Sequence, residues 1–164
     1  MRVIGIDPGT VRMGYGIIEH DAGSLKAVTF GVITSPAKKS IESKLYSIHA
    51  GLKKVFNQYK PEQVALEEPF VSDNARSALS IGRAQAIAML AAGERNLPIF
   101  RYSPAQVKFQ VTNYGRSQKE QVNELVKLLL GLRNQDIPED AADALAVAIC
   151  HINQVHLESI IRRG

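Results

Sequence analysis

Cysteine is nearly absent from this chain: Cys150 is the one thiol among 164 residues. An internal disulfide is therefore excluded, and no Cys/His cluster has zinc-site spacing. Cys150 lies in the apolar run "ALAVAICHI" and reads as a packed thiol of a protein kept in a reducing compartment. Long hydrophobic stretches are missing too. No unbroken run approaches the roughly 18 apolar residues of a membrane span, and the N-terminus has no signal-peptide pattern. Internal repeats, low-complexity tracts and linkers are also lacking. What remains is ordinary globular composition, 45% hydrophobic and 22% charged, expected to form a single domain over 1–164. Net charge is +4 with pI near 9.3, which suits a polyanionic partner without demanding one.

The hydrophobic pattern predicts strands at 2–7, 14–20, 27–34, 63–67 and 98–102. Helices are expected at 42–59, 74–94, 103–112, 118–130 and 139–157, with Ser72 or Asp73 capping the second and Ser103 the third. Short links between the first three strands imply an antiparallel meander. The βα units that follow imply a mixed sheet with helices on its faces.

Four acids stand in costly places. Asp7 ends the apolar strand "RVIGID". Turn formation explains Asp-Pro-Gly as well as function does, but Gly9, Gly14 and Gly16 leave room for a backbone or ligand to come close. Glu67 ends "QVALE". By alternation it shares a face with Ala65, opposite Val64 and Leu66, which makes it a better site residue than Glu68. Asp140 and Asp143 share one face at the start of the last helix. Acids in a first turn need no function, since they complement the helix dipole. Asp143 is harder to explain that way, because alanines flank it and the following helix is apolar almost all round. Convergent carboxylates without His or Cys favour Mg²⁺ or Mn²⁺, and such sites commonly handle phosphoryl chemistry.

The segments "GIDPGTVRMGYGII", "LEEPF", "QVKFQV", "SQKEQV" and "DAADALAVAICH" together resemble the RuvC family of bacterial Holliday-junction resolvases, over residues 2 to about 151. The resemblance implies a ribonuclease H-like fold: a five-stranded mixed α/β sheet with helices on both faces. It also implies a cytoplasmic, homodimeric, Mg²⁺-dependent endonuclease that nicks two strands of like polarity across four-way junction DNA. The RuvA–RuvB branch-migration complex is the implied partner. Matched position by position, the catalytic and metal-binding acids fall on Asp7, Glu67, Asp140 and Asp143. The active-site lysines fall on Lys108 and Lys119, and the aromatic placed against a junction base falls on Phe70.

Each DNA-facing residue has a plainer alternative. Phe70 could be a core anchor, and Lys108 and Lys119 could be solvated surface charges. Arg76, Arg83 and Arg116 are phosphate-contact candidates of a type that is usually just exposed. Three other functions compete. A sugar-kinase or chaperone-type ATPase shares the strand–Asp–Gly turn but needs twice the chain. A junction binder without catalysis would not need four acids. A nuclease for RNA–DNA hybrids would share the fold.

Overall fold

The computed structural model describes residues 1–68 and 74–162. In chain order the elements are β1 (Arg2–Asp7), β2 (Arg12–Asp21), β3 (Ser24–Thr34), α1 (Ile41–Tyr59), β4 (Gln63–Glu67), α2 (Ala75–Gly93), β5 (Ile99–Tyr102), α3 (Pro104–Thr112), α4 (Lys119–Leu129) and α5 (Glu139–Ile161). The strands form one sheet in the order β3-β2-β1-β4-β5. The β1–β2 and β2–β3 pairs are antiparallel, while β1–β4 and β4–β5 are parallel. This is the expected meander followed by βα units.

Period-two alternation divides the core. Ile4, Ile6, Met13, Ile17, Val64 and Leu66 face α1 and α2, where Ile48, Leu52, Phe56, Ala84 and Ala88 meet them. Val3, Ile18 and Ala65 face the other way, toward α3, α4 and α5. Helices thus cover both faces, and each fully buried aliphatic side chain contributes about 1.5–3 kcal/mol.

Boundaries differ from expectation in three places. β2 and β3 run right up to a two-residue turn, with Ala22 at φ 45° and Gly23 at φ 83°. Positive φ at both central positions matches the strand twist, so the ladder extends through polar residues that the hydrophobic pattern passes over. The cap of α2 is Asn74, whose side chain accepts from the Arg76 N–H, while the expected Ser72 and Asp73 lie outside the described residues. Helix α5 continues to Ile161, beyond the expected 157. By length and composition α5 is also apolar enough to span a membrane, although polar residues interrupt its apolar run. Here it is a core helix: residues 144–152 are all buried.

The packing of α5 on the sheet sets the position of the site. Gly5 and Gly14 lie directly beneath it. A methyl group at Gly5 would overlap the Ala144 carbonyl, and one at Gly14 would overlap the Asp140 carbonyl. Absent side chains on the strands and alanines on the helix let two backbones touch. Any larger residue would lift the first turn of α5 away from β1.

Candidate active site

Asp7 and Glu67 are neighbours because β1 and β4 are parallel and in register, Ile6 opposite Leu66. Both strands end at the same edge of the sheet. Asp7 alternates with Gly5 and Val3, and Glu67 with Ala65, so both carboxylates project on the α5 side. Gly14, paired with Asp7, carries the first turn of α5 and with it Asp140 and Asp143. Two strand ends and one helix start thus bring four acids together.

Their electrostatics show the crowding. Asp7 is pushed up to about 8, first by burial and then by the charges of Glu67, Asp143 and Asp140. Glu67 is also raised, by burial and then by Asp143, although a hydrogen bond with Asp7 pulls the other way. Burial raises Asp143, with Lys119 opposing. Burial draws Lys119 down, but its bonds to Glu139 and Asp143 outweigh this and hold it above the ordinary lysine value.

Two cations grip the helix acids. Lys119 Nζ lies 2.9 Å from Asp143 Oδ2 and also pairs with Glu139. Arg12 places Nε 2.8 Å and Nη2 2.7 Å from the same oxygen, Asp140 Oδ2. Arg12 carries no signal in the sequence, where Glu139 reads only as a first-turn acid complementing the helix dipole. Arg12 lies 128 positions from its partner, so no local pattern reveals the pair.

The loop after β1 is tied down from two sides. Thr10 Oγ1 lies 2.9 Å from Ser80 Oγ of α2, and Ser35 Oγ donates to the Thr10 carbonyl at 2.6 Å. On the next strand, Gln85 Nε2 of α2 donates to the Glu67 carbonyl at 3.3 Å. Helix α2 therefore braces both acid-bearing strand ends from the opposite face.

A cleft of about 210 Å³ opens beside the acids, lined by Glu67, Asp143, Lys119, Lys108 and Val107 among others. The structure thus brings Lys108 and Lys119 to the acids, as expected. Both act on Glu67 by charge, which the arginines do not. Arg76 is exposed in the first turn of α2, and Arg116 is exposed in the turn between α3 and α4. Arg83 acts on Glu42 at the start of α1. Phe70 lies outside the described residues.

The donor set suits a hard dication. It is all oxygen, and Asp7, raised first by burial, also feels the charges of Glu67, Asp143 and Asp140. Among the described residues no three His, Cys, Asp or Glu side chains already converge on one point. Arg12 engages Asp140, while Lys119 is shared between Asp143 and Glu139.

A family model described as "Crossover junction endodeoxyribonuclease RuvC" matches residues 3–151. The chain belongs to the RuvC family. RuvC of Dehalococcoides mccartyi (strain BAV1) is 49% identical over 164 residues, covering 100% of this chain and 98% of that protein. RuvC of Syntrophomonas wolfei is 41% identical over 161 residues, covering 98% and 94%. Among solved structures, Thermus thermophilus RuvC in complex with a Holliday junction substrate superposes with TM-score 0.90 at 31% identity, covering 96% of each chain. RuvC proteins are metal-dependent nucleases, in keeping with the chemistry of the four carboxylates.

Proposed function

We propose that this chain is a single-domain, Mg²⁺-dependent endonuclease that resolves four-way DNA junctions, with Asp7, Glu67, Asp140 and Asp143 as the metal-holding acids. The observation that carries this reading is the placement of the four carboxylates at the ends of β1 and β4 and the start of α5, near enough that three of them act on Asp7 by charge, in a chain of the RuvC family. A dication bound there would activate a water for attack on phosphorus and stabilise the leaving oxygen. The chain's own residues do the rest. Asp7 and Glu67, held on adjacent strands, provide a rigid oxygen edge. Lys119 lies beside Asp143 and places a permanent positive charge where a phosphate gains negative charge in the transition state. Lys108, on the other wall of the cleft, attracts the phosphodiester.

Mn²⁺ would substitute for Mg²⁺, because both take oxygen ligands. Phe70 follows β4 in sequence and would stack on a base where the junction opens, while Arg76, Arg83 and Arg116 would steer the arms. Two symmetric nicks need two sites, so the active form is a homodimer. It works in the cytoplasm with the RuvA–RuvB branch-migration complex. The test is a gel assay of four-way junction nicking with and without Mg²⁺, with an RNA–DNA hybrid as competing substrate. Preference for the hybrid, or nicking independent of dication, would defeat the proposal.

A further inference from the structure

Arg12 is the cation that neither the sequence nor the catalytic scheme accounts for. It sits at the start of β2, in contact with an acid assigned to the metal, and its side chain is 54% exposed. Both of its bonding nitrogens address a single oxygen of Asp140, which leaves the other carboxylate oxygen outside the pair. Lys119 differs. It is shared between Asp143 and the exposed Glu139, so it keeps a partner whatever Asp143 does. Among the described residues Arg12 has no such second acid.

We propose that Arg12 is an exchangeable counter-ion: a dication displaces it from Asp140, and it then contacts a backbone phosphate of the bound junction. The inference rests on the assignment of Asp140 to the metal. Three physical points support it. A dication and a guanidinium cannot both sit against Asp140 without repelling one another. The ion pair is partly exposed, on the arginine more than on the acid, and monodentate on the acid, so breaking it costs little. The freed guanidinium is planar, permanently charged and suited to phosphate oxygens. Its contact with Asp140 places it beside an acid that the reacting phosphate must approach. The exchange would also couple the two ligands, since metal binding would release a group that binds DNA.

The experiment is calorimetric titration of Mn²⁺ into the full chain, for the wild type, Arg12→Gln and Asp7→Asn, beside junction binding in Ca²⁺ across a salt series. Thermal melts check that the variants are folded. Arg12→Gln is expected to bind Mn²⁺ about three- to tenfold more tightly, because a competitor and a repelling charge have gone. Its log Kd against log salt should lose about one unit of slope, as for one lost phosphate contact. Unchanged or weaker Mn²⁺ binding by Arg12→Gln overturns the exchange and makes Arg12 a fixed support for Asp140. An unchanged salt slope overturns the phosphate contact. The underlying site assignment has its own readout: Mn²⁺ binding that is equal in wild type and Asp7→Asn would remove that assignment, and the exchange with it.

Discussion

Helix α5 carries two polar clusters where it meets the sheet, the first partly exposed and the second sealed, and they are built on opposite principles. At its start, Asp140 and Asp143 join Asp7 and Glu67, where burial first and then neighbouring like charge raise Asp7 and Glu67. Further along, His151 is fully buried, with Nδ1 2.7 Å from the Tyr102 hydroxyl and Nε2 2.7 Å from Gln63 Oε1. An amide oxygen only accepts, so Nε2 carries the proton and donates it. The Tyr102 hydroxyl then donates to Nδ1. A neutral imidazole satisfies both bonds, and Phe100 stacks on the ring at 4.3 Å. Burial pulls His151 down to about 4, which keeps it neutral. One cluster is polar and complete. The other has charge to spare, and it is the one suited to a ligand. The complete cluster ties α5 to β4 and β5.

The largest effect expected from breaking this contrast is on catalysis. Asp7→Asn keeps the shape and removes one charge. It should reduce Mg²⁺-dependent nicking by at least about a thousandfold, the several kcal/mol a metal supplies. Junction binding measured in Ca²⁺ or chelator should persist. A fully active Asp7→Asn protein would show that the acids are not the site. Lys119→Ala should slow cleavage about a hundredfold while changing junction affinity only a few-fold. Equal losses in both would reduce Lys119 to a binding contact.

At the other cluster the loss should be in stability. His151→Ala leaves a cavity and two unsatisfied partners, and should cost about 2–4 kcal/mol by denaturant titration. Nicking by the fraction still folded should be near normal. A catalytic loss at full stability would move His151 into the active site.

The smallest and sharpest test is the sign of the pH dependence. Asp7 has a folded value of about 8 against 3.8 in the open chain, so the native state holds the extra proton between them. Without dication, its contribution to stability is lost as pH rises through that window. His151 has a folded value of about 4 against 6.5, so there the unfolded chain holds the extra proton. Its contribution is lost as pH falls from about 6.5 through 4. Melts of Asp7→Asn in chelator should therefore show a shallower decline toward pH 8 than wild type and a higher Tm at pH 7. Identical profiles would remove the charge-crowding account.

Much of this was open to sequence reading. Alternation fixes the faces of short strands, so Asp7 and Glu67 could be placed at strand ends with inward-facing side chains, and helical spacing placed Asp140 beside Asp143. Each of those features depends only on a few adjacent residues. Gly9, Gly14 and Gly16 could be read as allowing a close approach, but not of what, and Gly5 was not read that way at all. The structure shows that at Gly5 and Gly14 the approaching group is the backbone of α5. Similarly, "QVKFQV" and "SQKEQV" placed lysines on two helices, while only the fold of α3 and α4 across one cleft brings both to Glu67. The end of β2 and the cap of α2 escaped because backbone ladders and caps follow geometry rather than hydropathy.

The sequence by itself determined which segments are strands and helices, which face of each is apolar, and that four acids occupy positions where charge is expensive. Those properties arise from local periodicity and residue chemistry. Only the tertiary structure decided that Arg12 grips Asp140, that Lys119 is shared between Glu139 and Asp143, and that His151 is sealed by Gln63 and Tyr102. Those pairings join residues up to 128 positions apart. They exist because parallel strands β1 and β4 share one edge and α5 lies flush on glycine. The distance between two side chains is a property of the packed layers and is written in no single stretch of chain.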